Sequence, residues 1–265
     1  MPAAENSADG DLLCRAVREA GAIAKAAFGN KPKTWEKSKG NPVTETDLAV
    51  NVRLRELLQG ARGDYGWLSE ESADEPERLT KRRVFVIDPI DGTLAFIKVK
   101  PEFTVCAAVV EDGRPVAAAI FNPMTEQLFA AVRDGGATLN HERISVGATA
   151  VLEGSRMLVA KDVIGHPAWP RPWPAMDVAS RASIAYRMAL VACGEFDSMM
   201  SLSSKYEWDI AAGDLIVREA GGRVTSHSGA ELIYNQPAPR LRSVICAGPA
   251  MHDAILERTR DIKLP

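Results

Sequence analysis

The chain has 265 residues, 46% of them hydrophobic and 25% charged, with 32 basic side chains against 35 acidic ones and a formal net charge of −3. That length suits one large domain or two small ones, and it buries enough surface to fold without disulfides or structural metals. The charge balance argues against a dedicated nucleic-acid binder, the composition excludes long-range disorder, and no stretch approaches the roughly 20 apolar residues of a membrane span.

Residues 1–11 are acidic and polar where an export signal is basic and then apolar, so a cytoplasmic protein is expected. Cys14, Cys106, Cys193 and Cys246 are scattered among apolar residues with no CxxC pair, which reads as small buried hydrophobes in a reducing compartment. His141, His166, His227 and His252 have no metal-ligand spacing.

In chain order, apolar residues at helical spacing predict a helix over Leu12 to Phe28, capped by Ser7 or Asp9 and closed at Gly29-Asn30. A polar stretch, Lys31 to Asn41, follows. Thr44-x-x-Asp47 then resembles a capping box ahead of a helix over Leu48 to Leu58, with Gly60 as the stop. After the acidic Glu70 to Glu77 segment the pattern turns to strands. Val84 to Ile87 is a short apolar run that ends at Asp88. Phe103 to Val110 and Pro115 to Phe121 flank an Asp112-Gly113 hairpin turn, and Leu128 to Val132 follows Asn122-Pro123, so an antiparallel sheet is expected. The second half mixes types. Strands are predicted over Met157 to Ala160, Phe196 to Met200, Val224-Thr225 and Val244 to Ala247. Helices are predicted over Ser183 to Ala192, Asp209 to Ala220 and Pro249 to Arg258. The loop-rich zone Val146 to Gly154 is the weakest point of the chain, dividing a subdomain over 1–148 from one over 149–265.

The residues that carry chemistry are acids at element ends. Asp88-Pro89-Ile90-Asp91-Gly92-Thr93 sets two carboxylates on a turn that Pro89 and Gly92 allow to bend tightly. Two readings stand for this pattern alone: a capped turn with two exposed acids, or carboxylates converging on a hard cation such as Mg²⁺ beside a phosphate held by Gly92 and Thr93. Trp67-Leu68-Ser69-Glu70-Glu71, Pro42-Val43-Thr44-Glu45-Thr46-Asp47 and Trp208-Asp209 place further acids at element ends, and Ala211-Ala212-Gly213 allows close helix packing. Each alone reads as a cap or a solvated acid, but the set is hard to explain as capping.

These four pieces, with Glu219-Ala220-Gly221-Gly222, resemble the motifs of the inositol monophosphatase superfamily of Mg²⁺-dependent, lithium-sensitive phosphomonoesterases. The resemblance implies an α+β fold, a layered αβαβα sandwich of the inositol monophosphatase/fructose-1,6-bisphosphatase type, with an antiparallel N-terminal sheet and a smaller mixed C-terminal one. It places most metal ligands in the N-terminal subdomain, and Asp209 with the specificity elements in the C-terminal one. It also implies two or three Mg²⁺ per active site. Glu70, Asp88 and the Ile90 carbonyl would bind the first and Asp88, Asp91 and Asp209 the second, with a third near Glu70 through waters held by Asp47. Glu70 and Thr93, with Asp47, would activate the attacking water. Asp91, Gly92, Thr93, Ser183, Lys205 and Asp209 would contact substrate.

The substrate is less clearly marked. Inositol-1-phosphatases of the family usually carry Glu seven residues before the last metal-binding Asp, where this chain has Leu202. Asp91-Gly92-Thr93-x-x-Phe96-Ile97-Lys98 with Glu102-Phe103-Thr104-Val105 looks like the CysQ-type 3'(2'),5'-bisphosphate nucleotidases, although Ser203 to Glu207 departs from their Gly-Pro-Thr. A second phosphate needs basic partners, and Lys98, Lys161, Arg181 and Lys205 are candidates that also read as solvated surface charges. Trp169 and Trp173, in the loop His166 to Pro174, suit either a rim that stacks a base or a clamp that pins the loop. A bisphosphate nucleotide is therefore expected ahead of inositol-1-phosphate or a sugar phosphate. The resemblance also allows a homodimer and, as a different class of function, a protein-binding factor in ribosomal RNA transcription. No membrane or stable nucleic-acid partner is expected.

Overall fold

The computed structural model describes residues 2–38, 40–167 and 169–264. Lys39 in the polar stretch and Ala168 in the tryptophan loop therefore lie outside the described residues, as does Met1 of the acidic start. The elements in order are α1 (Pro2–Ala27), β1 (Thr34–Ser38), β2 (Asn41–Thr44), α2 (Glu45–Ala61), β3 (Gly66–Ser69), a 3-10 turn (Pro76–Thr80), β4 (Arg83–Asp91), α3 (Thr93–Ile97), β5 (Thr104–Glu111) and β6 (Arg114–Asn122). There follow β7 (Gln127–Val132), β8 (Gly136–Leu139), β9 (Glu142–Arg143), β10 (Arg156–Leu158), α4 (Lys161–Ile164), β11 (Asp177–Ala179), α5 (Ile184–Ala192) and β12 (Ser198–Ser201). The chain closes with β13 (Lys205–Tyr206), α6 (Glu207–Glu219), β14 (Arg223–Thr225), β15 (Arg240–Leu241), β16 (Val244–Ala247) and α7 (Pro249–Thr259).

Strand alternation shows why these elements stack in five layers. In β5, Val105, Ala107 and Val109 face a core shared with α1 and α2, while Cys106, Ala108 and Val110 face a second core shared with α5 and α6. β4 divides the same way, with Phe85 and Ile87 on one side and Val84 and Val86 on the other. A strand buried on both faces reads as a continuous apolar run, which is the pattern of Val84 to Ile87. In the smaller sheet, Val244 and Cys246 of β16 return to the α5–α6 core, and Ile245 and Ala247 join Met251 and Ile255 of α7. The order is helices, sheet, helices, sheet, helix, the expected αβαβα sandwich. Close packing inside the middle layer depends on Gly213, where a Cβ would meet Met188 at 2.8 Å.

The larger sheet runs β3-β4-β5-β6-β7-β8-β9 and is antiparallel except for the parallel pair β3/β4. That exception follows from the connection: residues 70–82 cross over through the 3-10 turn, where a tight hairpin would have reversed the chain. The smaller sheet, β11-β10-β12-β16-β14, is mixed, with β10 parallel to both its neighbours. The Asp112-Gly113 hairpin forms as predicted, with both residues at positive φ (51° and 72°).

The first helix begins earlier than periodicity indicated. Asp9 does not cap it; its carboxylate accepts from Arg83 Nη1 (2.6 Å), Tyr65 Oη (2.9 Å) and Arg62 Nε (3.1 Å) inside the helix. Tertiary charge pairing thus holds the polar first turns helical. The polar stretch after α1 is the antiparallel hairpin β1/β2, which apolar patterning did not mark. Among the described residues no helix is long and apolar enough to cross a membrane.

Candidate active site

The parallel pairing of β3 and β4 puts their C-terminal ends at one edge. Ser69 lies opposite Ile87 and the Glu70 N–H donates to the Ile87 carbonyl (3.3 Å), so Glu70 and Asp88 leave the sheet side by side. The β4/β5 register then slips between Asp88 and Asp91, bringing Asp91 round to the same place. Gly92 turns the chain into α3 at φ 98°, and a Cβ there would meet the Glu102 carbonyl at 3.1 Å and the Ser183 nitrogen at 3.2 Å, so only glycine fits. Asp209 arrives from the first turn of α6. Its carboxylate accepts from the Tyr206 N–H at 2.8 Å, in the manner of a capping box.

Asp88, Asp91 and Asp209 each offer an oxygen within 4.8 Å of the others. Asp91 is fixed by the Ser183 hydroxyl (2.7 Å) and the Ala185 N–H (2.6 Å) at the start of α5. Asp88 Oδ1 is buried with no hydrogen-bond partner among the described residues. Burial, followed by repulsion from neighbouring carboxylates, pushes Asp88 and Asp209 well above the usual range; Asp91 rises too, chiefly from burial, with Ser183 and α5 N–H groups opposing. Carboxylates gathered in a buried place with one orphaned oxygen are relieved by protons or by a cation held between them. A donor set made only of hard oxygens fits Mg²⁺.

Glu70 adjoins this group but is held elsewhere. Lys37, on β1, reaches across with Nζ 2.6 Å from Glu70 Oε1 and 2.7 Å from Glu71 Oε1, and burial pushes Glu71 up to about 7 against that pairing. Asn51 on α2 receives the Ser69 hydroxyl (2.7 Å) and donates to Ser72 (3.1 Å), which fixes the acidic loop. Asp47 forms the predicted capping box with Thr44, and its other oxygen lies 3.0 Å from Thr93 Oγ1. Thr93 Oγ1 is also 3.1 Å from the Ile90 carbonyl. One hydroxyl proton serves one acceptor at a time, so donation to Asp47 leaves the Ile90 carbonyl free for a cation.

The expected substrate contacts divide. Ser183 is fully buried and spends its hydroxyl on Asp91, Tyr186 and Thr104, which makes it a support for Asp91. Lys205, half-buried on β13, lines a cleft of about 420 Å³ with Arg187, Leu202, Ile184 and Val163. Burial lowers the pKa of Lys205, with Asp209 opposing and Arg187 adding to the fall. Arg187, also lowered by burial, feels Asp91. Lys98 and Lys161 are exposed, and Arg181 pairs with Glu102 at 3.4 Å. Trp173 is buried under Arg258, and Trp169 meets it edge-on at 5.0 Å with Nε1 bonded to the Val163 carbonyl (2.6 Å). Trp169, Val163 and Leu202 line a further cavity of about 300 Å³ that shares Val163 and Leu202 with the cleft.

Two side chains of the site escaped sequence reasoning. Arg187 had a signal, being the single charge in the apolar helix Ile184–Ala192. Lys37 had none, since it sits in a polar stretch and its partners Glu70 and Glu71 lie 33 and 34 residues away.

Comparison with known proteins agrees with this geometry. The model of the inositol monophosphatase family matches residues 8–264. The chain is similar to "Nus factor SuhB" of Xylella fastidiosa, 33% identical over 87% of this chain and 84% of that one, and to "Inositol-1-monophosphatase" of Rhizobium meliloti, 31% identical over 83% and 85%. Among solved structures it is similar to the IMPase of Thermotoga maritima (28% identity, TM-score 0.82, 95% of this chain and 96% of that one). The extragenic suppressor protein suhB of Bartonella henselae is similar as well (26%, 0.82, 96% and 99%). The acidic cluster at the end of β4, the layered fold around it and a family match over nearly the whole length lead to one conclusion: the chain belongs to the inositol monophosphatase family, a family of metal-dependent phosphatases.

Proposed function

We propose that the chain is a Mg²⁺-dependent phosphomonoesterase whose substrate carries a second anionic group beyond the scissile phosphate, with a 3'(2'),5'-bisphosphate nucleotide such as 3'-phosphoadenosine 5'-phosphate as the leading candidate, converted to AMP and phosphate. The observation that carries this reading is the cleft lined by Arg187 and Lys205. Arg187 bonds the Arg181 carbonyl and Lys205 the Ser203 hydroxyl (2.7 Å), with Asp91 and Asp209 near them, and an anion entering the cleft would meet both positive charges. Leu202 in the same wall offers no acceptor to a polyol hydroxyl, whereas Trp169 in the adjoining cavity offers an aromatic face.

Asp88, Asp91 and Asp209, with Glu70 and the Ile90 carbonyl, would hold two or three Mg²⁺. When bound, such ions would polarise phosphoryl oxygens and lower the pKa of a bound water to about 7. The chain does the rest. Asp47 holds the Thr93 proton, so Thr93 Oγ1 turns a lone pair toward the attacking water and orients it. Glu70 accepts the proton as water oxygen bonds to phosphorus. The ester P–O bond breaks on the far side, the leaving alkoxide takes a proton from solvent water, and Glu70 returns its proton to solvent. Gly92 and Thr93, at the start of α3, would contact the phosphate, and Ser183 keeps Asp91 oriented.

A second reading, inositol-1-phosphate as substrate, is favoured by the name of the Rhizobium meliloti relative. A third, a protein-binding role, is favoured by the relatives called Nus factor SuhB. Phosphate release from 3'-phosphoadenosine 5'-phosphate, inositol-1-phosphate, fructose-1,6-bisphosphate and 2'-AMP, with and without Mg²⁺, tests the first two. The bisphosphate nucleotide is expected to give the highest kcat/KM, and Lys205→Met is expected to raise its KM more than that of 2'-AMP. A preference for inositol-1-phosphate would establish the second reading. No Mg²⁺-dependent release from any ester, with transcription proteins retained by an Asp88→Asn chain, would establish the third.

A further inference from the structure

The cation-holding acids come from two remote parts of the chain. Glu70 follows β3, and Asp209 lies in the first turn of α6, 139 residues later. Between them runs a second line of contacts outside the acidic cluster. Arg78, in the 3-10 turn that follows the Glu70 loop, is a large, fully buried side chain. Its guanidinium is bonded on every side. Nε and Nη2 lie 2.6 and 3.0 Å from the Asp74 carboxylate, Nη1 lies 2.6 Å from Asn235 Oδ1, and Nη2 lies 2.9 Å from the Gln236 carbonyl. Its backbone packs on Gly66 of β3, where a Cβ would meet Arg78 Cα at 3.0 Å.

The same two residues, Asn235 and Gln236, are held from the other side by Glu207. Its carboxylate, wholly buried, accepts the Asn235 N–H at 2.6 Å and the Gln236 N–H at 2.9 Å. Glu207 is the first residue of α6 and stands two positions before Asp209. Its own N–H donates to the Pro239 carbonyl at 3.0 Å. Tyr234 anchors the strap further, with its hydroxyl 2.7 Å from Asp214 and its N–H 3.0 Å from the Gly113 carbonyl. Neither Arg78 nor Glu207 is among the clustered carboxylates, and a helix cap alone does not call for a buried acid at this position.

We infer that Arg78 and Glu207 are positioning residues: by gripping the Asn235–Gln236 strap from opposite sides they hold the Glu70 loop and the first turn of α6 at the separation that divalent-cation binding requires. This rests on the reading of the acidic cluster as a cation site and extends it to side chains outside that cluster. A buried, fully bonded arginine paired through backbone to a buried glutamate has one preferred geometry, so it transmits position more rigidly than apolar packing does. Outer residues that orient metal ligands commonly affect metal affinity by about 10–100-fold.

The test is Mn²⁺ binding, followed by electron paramagnetic resonance and without substrate, in the full chain and in Glu207→Gln, Arg78→Met and the double variant, well below each unfolding temperature. Arg83→Met is the control, since Arg83 is equally buried but lies at the far end of β4 from Asp88. Glu207→Gln and Arg78→Met are each expected to weaken Mn²⁺ binding by about tenfold, with the double variant little worse than the weaker single, as residues acting through one strap are non-additive. Arg83→Met is expected to lower the unfolding temperature with Mn²⁺ affinity unchanged. Unchanged affinity in folded Glu207→Gln, or an equal loss in Arg83→Met, overturns the inference while leaving the cation site standing. Failure of the unaltered chain to bind Mn²⁺ overturns both.

Discussion

The two ends of β4 carry opposite solutions to buried charge. At the entry, Arg83 is met by Asp9 at 2.6 Å, by Asn6 at 2.8 Å and by Glu111 at 3.0 Å, so a buried cation is enclosed by its own counter-ions. At the exit, Asp88 meets Asp91 and Asp209, and one of its oxygens has no partner among the described residues. The entry network is closed in charge by the chain's own residues, although Arg83 Nε has no hydrogen-bond partner among the described residues. The open one is complete only with something the chain does not supply, and that marks it as the working end.

The sharpest way to break this contrast is to neutralise one charge at each end. Asp88→Asn is expected to lower phosphate release by about 10³-fold, or ~4 kcal/mol of transition-state stabilisation, while raising the unfolding temperature of the metal-free chain because a repelling charge is gone. Near-normal turnover in saturating Mg²⁺ would contradict it. Arg83→Met is expected to do the reverse. It leaves Asp9 buried without its main partner and costs about 3–5 kcal/mol in denaturant unfolding, with the folded fraction still active. Equal activity losses in both variants would erase the distinction.

A smaller effect separates the ends by pH. The exit carboxylates have folded pKa values raised above the unfolded range of about 4, and Glu71 is pushed up to about 7, chiefly by burial. A raised value means that the folded state holds more protons, so this contribution is fully present below pH ~4 and is lost as pH rises through neutrality. The metal-free chain is therefore expected to lose stability by urea titration between pH 5 and 8, and saturating Mg²⁺ to remove the slope. A slope that is the same with and without Mg²⁺ would place the strained charges elsewhere.

Much of this was legible in sequence where local rules and tertiary demand agree. Val84 to Ile87 reads as a short apolar strand ending at Asp88, and it forms the first part of β4, buried on both sides. Thr44-x-x-Asp47 reads as a capping box, and it forms one whose spare oxygen reaches Thr93. Resemblance, rather than periodicity, supplied the five-layer fold and the grouping of acids from distant segments. What stayed hidden depends on contacts that local patterning does not encode. Asp9 looked like a helix cap but answers Arg83, 74 residues away. The parallel β3/β4 pair, which brings Glu70 beside Asp88, depends on an irregular crossover. Lys37 and the Asn235–Gln236 strap act through segments with no repeating pattern at all. Ser183 looked like a substrate contact but is buried behind Asp91. Trp173 is fixed against the core, and Trp169 alone lines the cavity beside the cleft.

The central claim is that Asp88, Asp91 and Asp209, brought together from β4 and α6 with Glu70 beside them, form one cation-binding pocket, and thermal unfolding at pH 8 with rising Mg²⁺ tests it most directly. The unaltered chain is expected to gain unfolding temperature with Mg²⁺, saturably, and Asp88→Asn to gain little or nothing. A chain that ignores Mg²⁺, or an Asp88→Asn variant that responds as strongly as the original, would contradict it.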